Sequence, residues 1–163
     1  MKIRILLLAL LLILCPNITA CSGKEYRDDL KCTDLGMELT AALEDGQEYV
    51  ELDDSHREFY FEDFEEYDDC YTVYSADTND INEIGIFHAA SEDRARELAN
   101  SCEEYIEDMR ENSRAFIASY APEELPKLDG ATVRRYGNYV VYTVLPEDKT
   151  QTAFETVENM LGR

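Results

Sequence analysis

Two histidines, five cysteines and a large surplus of carboxylates are the residues of this chain that could do chemistry. A hydrolase needs a positioned nucleophile beside a base. Only His56 and His88 could serve as imidazole bases, and no Gly-x-Ser-x-Gly elbow occurs. His88 follows an apolar run and precedes Ala89 and Ala90, so it reads as a strand end, while His56 lies among acids. A zinc site would have to gather both histidines with cysteines far away in sequence, without a Cys-x-x-Cys pair to start from. Asp77, Asn79 and Asp80 begin like a calcium loop, but Ile81 takes the next ligand position and the required glycine is missing. The pairs Asp53-Asp54, Glu62-Asp63, Glu65-Glu66 and Asp68-Asp69 could hold a weak cation site, and equally read as a solvated acidic face. Acids are too abundant for any two to stand out as glycosidase carboxylates. The reading is non-enzymatic, with no catalytic residue, no metal ligand set and no cofactor.

One cysteine carries a more specific signal. Lys2 and Arg4 precede an apolar run from Ile5 to Leu14, Pro16-Asn17 breaks it, and small residues lead to Cys21. This is the layout of a secretory signal peptide over residues 1–20. The run is shorter than the roughly 20 residues a membrane span needs. Ile18-Thr19-Ala20-Cys21 resembles the lipobox of bacterial lipoproteins: an aliphatic residue, two small ones, then cysteine. That resemblance implies cleavage between Ala20 and Cys21 and acylation of the Cys21 thiol, palmitate being a typical chain. A thiolate is the nucleophile that accepts the lipid. Two acyl chains anchor stably, whereas one gives a marginal association constant of roughly 10⁴ M⁻¹. The expectation is a protein anchored by lipid to the cell membrane on its extracytoplasmic side. Residues 21–27 would be the lipidated cysteine and a polar tether, and residues 28–163 a single domain. So short a tether places any partner near the membrane.

Cys15 lies in the leader, which leaves Cys32, Cys70 and Cys102 in the domain. An odd number allows one intramolecular disulfide plus a spare thiol. Each reads more simply as a small buried apolar side chain.

The formal net charge is −21, and loss of a leader holding Lys2, Arg4 and no acid makes the mature chain two charges more negative. Such a chain is repelled by nucleic-acid phosphates and by anionic headgroups. The charge keeps a domain soluble and favours a basic partner or cations.

The elements that would position these groups follow from periodicity. Cys32, Leu35, Leu39, Ala42 and Leu43 predict a helix over about 28–45, with Gly36 a weak point and Gly46 suited to its end. Residues 44–69 are dense in acids, with Arg57 their one formally positive residue, and are interleaved with Tyr49, Phe59, Tyr60, Phe61, Phe64 and Tyr67. So many aromatics argue against disorder, and irregular structure with a short helix near 54–60 is expected, its aromatics packed on the core and its carboxylates outside. Cys70–Tyr74 and Glu83–His88 read as antiparallel strands, joined by the turn formers Asp77-Thr78-Asn79-Asp80. Ser91 then caps a long helix whose stripe runs Ala95, Leu98, Ala99, Cys102, Ile106, Met109, Phe116 and Ile117 until Pro122. Ala131–Tyr136 and Asn138–Leu145 read as two further strands about Gly137-Asn138, before a last helix over about 148–161. The predicted architecture is α+β, a four-stranded antiparallel sheet with helices packed on a face, in the order α-β-β-α-β-β-α.

Asn82-Glu83-Ile84-Gly85-Ile86-Phe87, the long helix after it, Tyr136-Gly137-Asn138-Tyr139-Val140-Val141 and a closing helix resemble a family of small lipoproteins of Gram-positive anaerobes. That family is known only as a domain of unknown function. The resemblance runs from about residue 70 to 163, plus the lipobox, and implies no catalytic residues. The function expected is a protein-interaction module of the cell envelope that meets a partner with a basic surface. The contact is placed at Phe59, Glu62, Asp63, Phe64, Glu65, Glu66 and Tyr67, where aromatics could anchor and charges steer. The alternative is a sensor domain for a ligand or divalent cation. One domain of this size is too small for the two lobes of a transport-type solute-binding protein.

Overall fold

Every residue of Tyr139–Val144 is buried, as are the four central residues of Glu83–His88. Strands apolar on both sides need cover on both sides, and that requirement organises the molecule. The computed structural model describes residues 24–53, 55–57, 61, 64 and 66–163. In chain order these form α1 (Cys32–Leu43), β1 (Tyr49–Glu51), β2 (Asp69–Ser75), β3 (Glu83–His88) and α2 (Glu92–Tyr120). A 3₁₀ turn (Pro122–Glu124), α3 (Leu125–Gly130), β4 (Thr132–Tyr136), β5 (Tyr139–Val144) and α4 (Glu147–Leu161) complete the order.

Among the described residues the sheet has five strands, ordered β1-β2-β3-β5-β4, with every neighbouring pair antiparallel. The four-stranded expectation is thus corrected by β1, which pairs Tyr49 with Ser75 and Glu51 with Val73 at one edge. Its three residues lie in the acidic segment and are too short to show an alternating pattern. The expectation of helices on one face is corrected as well. α1 and α4 cover Tyr71, Val73, Ile84, Ile86, Tyr139 and Val141. On the opposite face, α2 covers Phe87, Val140, Tyr142 and Val144 through Ala95, Leu98, Cys102 and Ile106.

Local chemistry sets the element ends. Ser91 caps α2 by accepting from the Arg94 N–H (3.3 Å), with Glu92 and Asp93 in the first turn. α1 starts later than its periodicity suggested, because Lys31 is extended and the Cys32 N–H is taken by Asp69 Oδ2 (2.9 Å) of β2. The left-handed residue after α1 is Glu44 (φ 46°), two positions before Gly46. Tyr136 pairs with Tyr139, so Gly137-Asn138 is a two-residue turn, and Gly137 alone of the two takes a positive φ (60°). Ser55, His56 and Arg57 lie in the short helix expected near 54–60, whose remaining residues lie outside the described ones.

The N-terminal segment is fastened to the domain earlier than residue 28. Tyr26 bridges Gly162, the Arg27 N–H donates to Leu161 O (2.8 Å), and the Tyr26 ring stands edge-on to Tyr136 at 5.5 Å. The expected tether through Arg27 is therefore bound chain from Tyr26 onward.

A candidate binding groove beneath the long helix

α2 has 29 residues, about 43 Å of helix, over strands of roughly 20 Å. Its C-terminal half therefore continues past the sheet, where Arg110 ties it down by donating to Leu128 O (3.1 Å) and Ala131 O (2.7 Å). Between this half, the ends of β2 and β3, Leu52 and His56 lies a groove of about 770 Å³. Tyr74, Ile81, Met109, Phe116 and Ile117 give it apolar walls, and Thr72, Glu83 and Asp108 give it polar groups. Two of the aromatics stay open to solvent, Tyr74 at 42% and Phe116 at 65% exposure. Phe116 therefore leaves the buried stripe to which its spacing assigned it.

Glu83 is the chemically distinctive residue here. It keeps part of its surface open to the groove while its carboxyl is buried, with Oε1 accepting from Tyr105 (2.9 Å) and Tyr142 (2.5 Å). Burial raises its pKa above the ordinary 4.5, and the two phenol donors oppose that rise by favouring the ionised form. The same burial, together with the Glu83 charge, holds the Tyr142 phenol well above its ordinary value. Gly85 makes the arrangement possible, since a Cβ there would stand 2.0 Å from the Tyr142 ring. Thr72 shares this face, since it pairs with Gly85 while Tyr74 pairs with Glu83. Thr72 is 2% exposed, and its buried hydroxyl has no hydrogen-bond partner among the described residues.

Beside the groove is a buried ionic cluster. Lys127 Nζ lies 3.0 Å from Asp80 Oδ1 and 2.7 Å from Glu124 Oε2. Glu124 also accepts from the Ile81 N–H (3.0 Å), and Asp80 from the Asn82 N–H (2.7 Å). The calcium-like start is thus spent on structure: Asp77 accepts from both nitrogens of Asn79, and Asp80 turns inward to Lys127.

The two histidines stay apart. His56 is exposed at the groove, with Nδ1 2.9 Å from Asp53 Oδ2, and has no hydrogen bond to Ser113 or another nucleophile among the described residues. Donation from Ser55, the His56 N–H and the His56 ring holds the Asp53 carboxyl well below the usual range. His88 stands at the other end of β3, 2.7 Å from Asp28. Cys32, Cys70 and Cys102 are free thiols. Burial pushes the Cys32 and Cys102 thiols up, while Cys70 Sγ accepts from Arg57 (3.2 Å). Among the described residues no three His, Cys, Asp or Glu side chains group as a metal site, and no helix is long and apolar enough to cross a membrane.

Of the residues placed at the partner contact, Phe64 and Tyr67 pack inward. Phe64 lies 5.4 Å from Phe87 and 4.7 Å from Phe61, and Tyr67 lies 5.2 Å from Phe87. Glu66 is exposed. Phe59, Glu62, Asp63 and Glu65 lie outside the described residues, as do Ala20, Cys21 and the leader. Sequence reading missed Glu83 and Thr72. The available signal was an acid opening the apolar run Ile84–Phe87 and a threonine between the apolar Tyr71 and Val73.

Fold and groove together define a small domain of mixed helix and sheet with a groove on one helical layer. The family model described as "Domain of unknown function (DUF4358)" matches residues 47–145, and the chain belongs to that family. The matched span takes in the acidic-aromatic segment and all five strands, and leaves α1 and α4 outside. No curated protein and no solved structure matches the chain.

Proposed function

We propose that this chain is a lipid-anchored extracytoplasmic module with no enzymatic step of its own, which captures a basic segment of an envelope partner. The observation that carries the reading is the groove. It combines apolar walls with Glu83 and Asp108, and among the described residues that line it there is neither lysine nor arginine. A segment that mixes apolar and basic residues answers both features, the apolar ones for affinity and the charges for steering.

The N-terminal segment supports this placement. Asp28 accepts from Asn138 (3.0 Å) at the β4–β5 turn and meets His88, at the end of the sheet remote from Glu83. With the anchor on Cys21, Ser22 and Gly23 would separate the lipid from Lys24 by on the order of 10 Å. The turn end would then lie at the bilayer, and the groove would open away from it. Because Phe64 and Tyr67 face inward, the aromatic share of the contact moves from the acidic segment to Tyr74 and Phe116.

Photocrosslinking in intact cells tests the reading, with the crosslinker at Asn112 in the groove or at exposed Glu155 on α4. One partner crosslinked through a basic stretch from Asn112, absent from Glu155 and lost with Cys21→Ala, is the expected result. The same recoveries from both positions, or none from Asn112, would sink it.

A further inference from the structure

We infer that the groove is a lysine-recognition site, in which the ammonium of a partner lysine meets Glu83 and Thr72 while its hydrocarbon stem lies along Ile81 and Met109. The inference rests on the capture reading above and names what is captured.

Three observations select an ammonium over other groups. First, the Thr72 hydroxyl is buried at the groove without a partner among the described residues, although buried polar groups are normally satisfied. A ligand that brings N–H donors supplies what the fold leaves out. Second, Glu83 Oε1 already accepts two phenol hydroxyls. A guanidinium gains its advantage by engaging both oxygens of a carboxylate in parallel. Here one of those oxygens is occupied, whereas a compact ammonium needs a single free lone pair and has two further donors for Thr72 and for water. Third, the route in is suited to a lysine stem. Met109 and Ile81 offer apolar surface for the methylenes, and Asp108 on the exposed side of α2 draws the charge. Tyr74 and Phe116 add exposed aromatic surface to the groove lining. The volume of the groove exceeds one side chain, so apolar neighbours of the lysine belong in it too.

The test titrates the lipidated protein, purified in a non-ionic detergent, with acetyl-Leu-Lys-Leu-amide and its norleucine and arginine counterparts, followed by NMR. The lysine peptide should bind at least fivefold more tightly than either, with shifts centred on Thr72, Glu83 and Met109. Thr72→Val, nearly isosteric, and Asp108→Asn, on the surface, should each weaken it about threefold or more without lowering the unfolding midpoint. Equal binding of norleucine, tighter binding of arginine, or full affinity in both variants would overturn the inference. If no peptide binds but the Asn112 crosslink still finds a basic partner, the lysine site falls and capture stands. Lysine binding without any crosslinked partner keeps the ammonium site and removes the capture reading, with a free amine as the source.

Discussion

Glu83 and His88 close the two ends of β3 with different partners. Glu83 receives Tyr105 from α2 and Tyr142 from β5, while His88 meets Asp28 of the N-terminal segment at 2.7 Å. One six-residue strand, roughly 20 Å long, thus separates the groove from the segment that leads to the proposed anchor. Its centre is buried on both faces, so it can hold the two ends at a fixed separation.

The Glu83 end makes a prediction about pH. Burial raises the folded-state pKa above 4.5, so the folded protein holds this proton to higher pH than the unfolded chain does. Its contribution to folding is therefore fully present below 4.5 and is lost as pH rises through the folded value. Glu83→Gln keeps an acceptor for the tyrosines and carries no charge to bury. The melting temperature of the variant minus that of the parent should increase as pH goes from about 4 to about 7. Parallel curves would show that Glu83 is not the group responsible.

The His88 end makes a prediction about local order. Asp28 is bound by His88 and by Asn138 (3.0 Å), both exposed contacts of the kind worth at most about 1 kcal/mol. His88→Ala should therefore leave global stability almost unchanged. It should speed amide exchange at residues 24–31 several-fold, because local opening there needs far less than global unfolding. Exchange that stays at the parental rate would mean that the segment's other contacts, the Tyr26–Gly162 bridge and the Asp28–Asn138 bond among them, hold it without His88.

Lys127 sits between Asp80 and Glu124, with side-chain exposures of 13%, 13% and 11%. Removing the one cation leaves two carboxylates close together and largely out of water, a change that costs about 3–5 kcal/mol. Lys127→Met should lower stability by that order in urea unfolding at neutral pH. It should also disturb the Ile81 backbone, which donates to Glu124, and with it the rim of the groove. A loss below about 1 kcal/mol would show the cluster to be solvated.

The sequence made some of this legible and hid the rest for definable reasons. The strands around Val73, Ile86, Arg134 and Val141 and the long helix capped by Ser91 lie where alternation, β-branching and capping placed them. β1 was invisible because Tyr49-Val50-Glu51 is short and takes its place by pairing with β2. The second helical layer was implicit in Tyr139–Val144, whose unbroken apolar run leaves no solvent face. The groove was not legible at all. It arises from a mismatch between helix and strand lengths, and its Glu83–Tyr105–Tyr142 cluster joins residues up to 59 positions apart. The aromatics of the acidic segment read both as core and as a partner contact, and Phe61, Phe64 and Tyr67 take the first of these by sharing the Phe87 core.

Gly36 shows how a residue that looks like a weakness in sequence becomes a requirement in three dimensions. A glycine inside a helix costs about 1 kcal/mol relative to alanine, so on helix propensity alone Gly36→Ala should stabilise α1. In the fold, a Cβ at Gly36 would stand 2.0 Å from the Tyr71 ring of β2, because the helix backbone lies directly on that ring. Tyr71 is largely buried beside Leu35, Leu39 and Ile86 and has little room to turn away. Overpacking of this kind typically costs 1–3 kcal/mol, which outweighs the propensity gain. Gly36→Ala should therefore lower the urea midpoint without changing the slope of the transition. Gly36→Ala with Tyr71→Leu should recover part of the loss suffered by Tyr71→Leu alone, since the smaller side chain leaves space for the new methyl group. A Gly36→Ala protein more stable than the parent would mean that α1 does not rest on Tyr71 at this distance.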